Sequence, residues 1–568
     1  MRFSAGLFAT FTYQPRPGVR LRPRRLAQAC ALACALALPQ ALADAFVDAT
    51  ERVGLDFVHD NDADGRLLFP EITGPGAALF DYDLDGDLDV WLVQGGPLGR
   101  DGDAPSDRLY RNDLRDGEVS FVDVTASAGI AANGYGMAVA AADYDRDGDV
   151  DVLVSNYGRN ELWQNQGDGQ FTEIGIAAGL EGEQWSTGAT FADIDGDGWL
   201  DLYITNYVDY NLTKPPRCFA DSSRQDYCGP SAFVPQTDQI YRNIDGQRFE
   251  LQLNWLHDAP NGAGLGVVAE DFDADGWIDL YVANDGAANH LLLNQQGKRL
   301  LNDAWFRGVA VNQSGQPEAS MGIAVGDFDN DADSDLFLTH LMGESSTLYV
   351  NDGEALFEDQ SQRAGLGDSS RRYTGWGTGF IDYVPDGWVD LVSFNGAVRN
   401  DPVQAAAGVD YPLNQRNQLY RNEGGRFVEV ERDSTAFAAM ESSRGAAFGD
   451  IDNDGAVDMV VTNSRGPARV LLNAYPNRGQ WIGLDLRSSG LTAIGGRVTI
   501  ERGTQARSVW TVRRDGSYAS ANDPRIVAGL GNTTGPVDVE IIWPDASRQS
   551  LSLATNRYHL VEQTEQSE

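Results

Sequence analysis

One acidic nonapeptide returns seven times along the chain, and no other feature restricts its architecture as much. The first copy is Asp81-Tyr82-Asp83-Leu84-Asp85-Gly86-Asp87-Leu88-Asp89, followed by the apolar run Val90-Trp91-Leu92-Val93. Counterparts begin at Asp143, Asp193, Asp271, Asp327, Asp382 and Asp450. A second signature trails each copy: apolar residues, one variable residue, then asparagine, as in Leu109-Tyr110-Arg111-Asn112 and Leu162-Trp163-Gln164-Asn165. It recurs with its asparagine at Asn243, Asn294, Asn351, Asn422 and Asn473. Each unit therefore reads as an apolar strand, an acidic loop, a second apolar strand, a third strand ending at asparagine, a glycine turn and a fourth strand. Four strands repeated about every fifty residues or more make a propeller blade. The expected fold is all-β, a seven-bladed β-propeller over residues 44–475 with a small C-terminal β-sandwich-like domain over 476–565. The opening run Phe46-Val47-Asp48-Ala49-Thr50 resembles the outer strand Phe121-Val122-Asp123-Val124-Thr125 and is expected to pair with the last blade, leaving no open edge.

Thirty of the 84 acidic residues fall inside these seven windows. Carboxylates so closely spaced repel one another unless a cation sits among them. Calcium takes six to eight oxygen ligands, and alternating aspartates on a tight turn, with the carbonyl of position 7, can supply them. Glycine at position 6 allows the left-handed backbone that folds the ligands inward. The expected ligands are Asp81, Asp83, Asp85, Asp87 and Asp89, then Asp143, Asp145, Asp147, Asp149 and Asp151. In the third and fourth loops they are Asp193, Asp195, Asp197 and Asp201, then Asp271, Asp273, Asp275 and Asp279. The fifth and seventh loops supply Asp327, Asp329, Asp331 and Asp335, then Asp450, Asp452, Asp454 and Asp458. These loops imply about five to seven calcium ions. An EF-hand would need glutamate at position 12, where the first copy has Leu92 inside a strand. Two loops depart from the pattern. Ala332 replaces glycine in the loop from Asp327, which predicts a weakened site, and Val384 replaces the position-3 carboxylate in the loop from Asp382, which predicts an empty one.

Residues 1–43 carry six arginines and no acid, then an apolar run from Leu26 to Leu38 and the small-x-small sequence Ala41-Leu42-Ala43. This pattern reads as a cleaved export signal, and the apolar run is too short for a bilayer span. Cys218 and Cys228, ten positions apart in an exported chain, are expected to form a disulfide. A formal net charge of -41 excludes nucleic acid and anionic lipid as partners and argues against membrane insertion.

The acidic loops and glycine-rich lead-ins such as Gly74-Pro75-Gly76 and Gly375-Trp376-Gly377 resemble FG-GAP/VCBS repeats of integrin α-subunit propellers. The tail, with Trp481-Ile482-Gly483, Ala493-Ile494-Gly495-Gly496-Arg497, Gly516-Ser517-Tyr518 and Ile542-Trp543-Pro544-Asp545, resembles the ASPIC/UnbV domain. Propeller followed by this tail is similar to the cartilage acidic protein family and its bacterial relatives. The resemblance implies a secreted calcium-binding protein and brings no shared reaction with it.

In such blades the acidic loops lie at one end, and the opposite mouth is where recognition is expected. The residues placed there are Glu71, Tyr135, Asn156, Trp185, Asn206, Asn284, Asp285, His340, Trp376, Asn395, Arg444 and Asn463. Of these, Glu71, Trp185, Asp285, His340, Trp376 and Arg444 are the expected ligand-binding set. The connections Tyr207 to Asp238 and Asn395 to Asn417 should rise over the same face. No serine–histidine–acid set, zinc motif, phosphate loop or dinucleotide fingerprint is present. The sequence thus leans away from catalysis toward an exported calcium-binding module for a glycan or protein, in the periplasm, at the cell surface or in the medium. The alternative is an exported polysaccharide lyase or natural-product biosynthetic catalyst working at the central mouth.

Overall fold

The structure, a computed structural model, describes residues 45–98, 105–220, 223–252, 254–257, 259–430, 435–476, 479–502 and 507–564. The export segment expected over 1–43 lies outside the described residues. No helix among the described residues is long and apolar enough to cross a membrane.

The repeats fold as antiparallel meanders, numbered here sheets 1 to 7 in chain order. Sheet 1 runs Ala77–Phe80, Asp89–Leu92, Arg108–Asn112 and Phe121–Asp123. The innermost strands of sheets 2 to 7 are Gly136–Ala142, Ser186–Ala192, Gly264–Glu270, Ile323–Gly326, Gly375–Ile381 and Ser443–Gly449. Each inner strand packs beside the next, and that of sheet 7 packs beside that of sheet 1. Sheets 1 to 7 therefore form the closed ring of a β-propeller. The inner and second strands are buried on both faces, which is why they read as unbroken apolar or small-residue runs without alternation. The fourth strand of sheet 7 is Phe46–Asp48, paired antiparallel with Arg469–Asn473 so that Phe46 faces Asn473. The expected closure by the first residues of the repeat region is present.

The asparagine signature has a structural purpose. In every sheet its backbone N–H donates to the position-9 aspartate of its own loop, at 2.7–2.9 Å. Its side-chain amide donates to the position-2 carbonyl of the preceding sheet's loop. Asn165 reaches Tyr82, Asn243 Tyr144, Asn294 Ile194, Asn351 Phe272, Asn422 Phe328 and Asn473 Tyr383. Asn112 of sheet 1 closes the circle on Ile451 of sheet 7 at 3.2 Å. These bonds staple neighbouring sheets together at the loop end of the ring.

The C-terminal region is a β-sandwich. One sheet is built on Gln480–Ser488 with Ile526–Gly531 and Tyr558–Glu562; the other is Arg507–Thr511, Arg497–Glu501, Val537–Ile542 and Arg548–Leu553. Ile482, Leu484, Val498, Ile500, Val539 and Ile541 fill the space between them. The sandwich sits on the acidic-loop end of the propeller, and the segment between Arg507–Thr511 and Ile526–Gly531 enters the axis. Asp515 Oδ2 accepts from Thr190 of sheet 3 and the Ala269 N–H of sheet 4. Ser517 exchanges backbone hydrogen bonds with Ile323 of sheet 5, and its hydroxyl accepts from the Thr378 N–H of sheet 6. The Ala519 and Ala521 carbonyls accept from Val139 of sheet 2 and Leu79 of sheet 1, and Asn522 Oδ1 accepts from Phe448 of sheet 7. One excursion of chain thus bonds to the inner strand of every sheet. The lead-in Gly76 is required by it, because a Cβ there would lie 1.8 Å from the Ala519 carbonyl oxygen.

Candidate functional site

The mouth opposite the acidic loops is closed. Tyr518, at the tip of the axial segment, donates to the Thr73 carbonyl at 2.6 Å and packs edge-on against Trp376, with ring centroids 4.8 Å apart. Phe69, Trp185, Tyr207, Tyr210 and Phe233 form an aromatic cluster above it. The two long connections do rise over this face and meet there, Asn400 Nδ2 donating to Asp226 Oδ1 at 2.9 Å. The first is braced by the Cys218–Cys228 disulfide.

The side chains expected to meet a ligand at this mouth serve the lid. Arg444 is fully buried and donates to the carbonyls of Ile72, Ser443 and Ala397 while stacking 4.3 Å over Trp376. Trp376 donates its indole N–H to Gly396, and Trp185 is buried in the aromatic cluster. His340 lies buried against Thr347 and Glu318, and burial lowers its pKa to about 4, so it is neutral at pH 7. Asp285 accepts from the Tyr207 hydroxyl, and burial raises its carboxyl to about 6. Tyr135 donates to the Asn61 carbonyl. Asn156, Asn206, Asn284, Asn395 and Asn463 each use the side-chain amide to hold the following turn, bonding the carbonyls of Arg159, Thr237, Ala288, Arg416 and Pro467. These residue types were legible as clustered at one face, but their side chains point into packing and turns.

Glu71 is a strongly perturbed member of the set. Burial pushes its carboxyl up to about 7, opposed by the hydrogen bond that Tyr227 donates to Oε2 at 2.9 Å. The folded value lies above the ordinary 4.5, so the folded state holds the proton longer than the unfolded chain. Stability therefore falls as pH rises through the interval from about 4.5 to about 7 and stays lower above it. Glu71→Gln is expected to flatten this slope and to gain about 1–3 kcal/mol over the wild type at pH 8. Urea midpoints measured between pH 4.5 and 8 check it.

The acidic loops share one hydrogen-bonded frame. The position-1 aspartate accepts the N–H of position 5 on one oxygen and that of position 6 on the other, as at Asp81, Asp143, Asp271 and Asp450. This frame turns the remaining carboxylates inward. Asp81, Asp83 and Asp85 bring donor oxygens within 4.8 Å of one another, as do Asp143, Asp145 and Asp151. The same holds for Asp193, Asp195 and Asp197, for Asp271, Asp273 and Asp275, and for Asp327, Asp329 and Asp335. Asp145 Oδ1, Asp273 Oδ1 and Asp329 Oδ1, all at position 3, are buried without a hydrogen-bond partner. Burial and neighbouring carboxylates raise Asp143, Asp193 and Asp271 to about 6 and Asp151 to about 9. Orphaned oxygens at one repeated position, among acids that cannot all ionise, fit a hard cation bound by oxygen.

Two loops deviate as their sequences do. Ala332 keeps the left-handed backbone that glycine occupies elsewhere, at φ +83°. Ala332→Gly is expected to stabilise the protein by about 1 kcal/mol, read from thermal melts at fixed calcium. In the loop from Asp382, Val384 is buried, and the Arg502 guanidinium covers Gly387 so closely that a Cβ there would lie 1.4 Å from Nη1. Arg421 reaches Asp386 from the other side at 3.3 Å. Arg502 and Arg421 thus bring two guanidinium groups to the loop that lacks the position-3 carboxylate. The sandwich also binds loops directly: the Val509 N–H donates to Asp327, the Gly529 N–H to Asp382 and the Tyr558 hydroxyl to Asp450.

On this loop end, between sheets 2 to 4 and the sandwich, lies a cavity of about 630 Å³. Its wall includes Trp277, Ile494, Arg513, Arg514 and Trp543, and none of the six residues expected to bind ligand at the mouth. Sequence reasoning missed it because the wall joins residues from three repeats to the tail.

The FG-GAP-like repeat model matches residues 81–154, 143–204, 271–338 and 405–461, and the ASPIC and UnbV model matches 487–568. The loop from Asp382 lies outside these stretches. Cartilage acidic protein 1 of Xenopus tropicalis is 23% identical over 395 residues, covering 58% of this chain and 60% of that protein. The Mus musculus protein is 23% identical over 354 residues, covering 53% and 54%. The matched region thus spans little more than half the length of these relatives. An Agrocybe aegerita protein, whose structure is described by its recognition of non-reducing terminal N-acetylglucosamine, aligns with a TM-score of 0.38 and 15% identity over 64% of this chain and 81% of its own. That likeness is too loose to carry a ligand.

Proposed function

We propose, for a chain that belongs to the family joining FG-GAP-like repeats to an ASPIC and UnbV domain and that is a distant homologue of cartilage acidic protein 1, that it is an exported, calcium-stabilised binding module. The observation that carries this reading is the repeated orphan oxygen at position 3, set among carboxylates whose pKa values are raised by crowding and burial. The ligands are the aspartates of the loops from Asp81, Asp143, Asp193, Asp271, Asp327 and Asp450. A bound calcium offsets their mutual repulsion and fixes the loop end of the ring, where the asparagine staples join neighbouring sheets. Arg502 supplies the positive charge at the loop from Asp382, which holds no ion in this reading.

The disulfide supports an oxidising compartment outside the cytoplasm. A rigid ring with covered edges and a two-part loop end suits recognition of a glycan or protein. An enzyme working at the opposite mouth finds no open site there, because Arg444, Trp376, Tyr518 and Glu71 are buried beneath the lid. Elemental analysis of protein purified without chelator tests the reading, with about five to six calcium ions per chain expected. Fewer than one ion per chain, with unchanged melting on adding calcium, would overturn it.

A further inference from the structure

We propose that the cavity between sheets 2 to 4 and the C-terminal sandwich is a ligand site, and that it takes a carboxylate-bearing molecule held by Arg514 and Trp543. This deepens the reading of the chain as a binding module and rests on it. The cavity's volume, about 630 Å³, lies within the range of small-molecule sites. The inner strand of sheet 2 ends in Ala140, Ala141 and Ala142, and that of sheet 3 adds Ala189 and Ala192, so small side chains line this part of the ring. Over sheets 5 to 7 the corresponding space is filled by Phe380 and Phe448, leaving only about 150 Å³.

Two donors in the cavity wall lack partners. Trp543 is 2% exposed and its indole Nε1 has no hydrogen-bond acceptor. Arg514 Nη1 is buried and likewise unpaired. The other arginines of the wall are committed. Arg513 pairs with Glu270 and Asp515, Arg497 donates to the Ala332 carbonyl, and Arg548 pairs with Glu540. Leaving a buried donor unpaired is costly, and more so for a charged one, so two in one cavity wall mark a place where an acceptor belongs.

An anionic acceptor suits Arg514 best, because a guanidinium bonds a charged oxygen about twice as strongly as a neutral one. Trp277, Ile494 and Ile542 give the rest of the ligand an apolar bed. Arg514 is held at the base of the axial segment, where its carbonyl accepts from the Asn522 N–H. Its position is thereby fixed to the ring that the segment fills.

Calorimetric titration of the calcium-loaded chain tests this with two acids and their neutral forms. 4-Phenylbutyrate against its amide represents a free organic acid; digalacturonate against its methyl ester represents the end of an acidic glycan. At least one acid should bind about tenfold or more tighter than its neutral form, and Arg514→Gln should abolish that preference. Trp543→Phe keeps a ring in the sandwich core and should weaken the acid about threefold. If Arg514→Gln does not fold, Trp543→Phe alone must weaken binding for the proposal to stand. Acid and neutral forms binding alike, variants binding as the wild type does, or no acid bound below about 10 mM would each overturn it. Calcium content and calcium-dependent melting, measured on the same samples, separate the two levels. Retained calcium with no acid binding sinks this inference alone, and absent calcium sinks the reading beneath it.

Discussion

Cutting Tyr518 back to alanine is expected to cost about 3–5 kcal/mol of stability, the usual loss for a buried aromatic side chain. Replacing residues 515–522 by a short glycine linker is expected to prevent a compact propeller from forming. The reason is the number of inner-strand groups that this segment satisfies. The N–H groups of Leu79, Val139, Ala269, Ile323, Thr378 and Phe448 all donate to it, and the Ala77 and Ile323 carbonyls accept from it. Each such group left buried and unpaired costs about 1–3 kcal/mol, and water entering the axis would recover part of this only by wetting Trp376 and its neighbours. The tyrosine adds its own hydroxyl bond to Thr73 and its edge contact with Trp376. Urea titration followed by tryptophan fluorescence reads the alanine variant, and size-exclusion elution reads the linker variant. A chain ending at residue 476 that melts with the full-length protein would remove the basis of both expectations.

Stripping divalent cations is expected to lower the melting temperature by roughly 15 °C, since six sites at about 100 times their Kd contribute about 2.7 kcal/mol each. The pH dependence should also reverse between the two forms. Without metal, Asp201 rises to about 8 and Asp151 to about 9, chiefly through burial. The folded state then holds protons that the unfolded chain releases near pH 4. Metal-free protein therefore loses stability as pH rises from about 4 toward 9 and is more stable at pH 5 than at pH 8. Calcium competes with those protons, so the calcium-loaded protein should be at least as stable at pH 8 as at pH 5. Melting curves at both pH values, with chelator and with calcium, give four temperatures. Identical temperatures with and without chelator would contradict the expectation.

Much of the architecture was legible in the residues because it is periodic. The acidic loops and trailing asparagines marked the repeats, and Phe46–Thr50 announced ring closure by its likeness to Phe121–Thr125. Loop quality was legible as well, since Ala332 sits at the position whose backbone is left-handed in every loop. The asparagines carried a signal whose meaning was hidden, because their amides bond across sheets separated by scores of residues. The mouth was legible as a place but not as a chemistry. Spacing puts Arg444 and Trp376 near the axis, yet only the fold shows Tyr518 arriving from more than seventy residues downstream to bury them. The cavity had no local pattern at all, since alanines in strands signal tight packing as readily as empty space.

The pairing of Phe46–Asp48 with Arg469–Asn473 also governs the order of assembly. A growing polypeptide exposes its first strand long before the partner has been made, and the piece that fills the axis emerges later still. A nascent chain that stops before Arg469 lacks the strand that pairs with Phe46–Asp48, so its ring is still open. Ring closure therefore belongs to the last stage of synthesis, after Asn473 has been made.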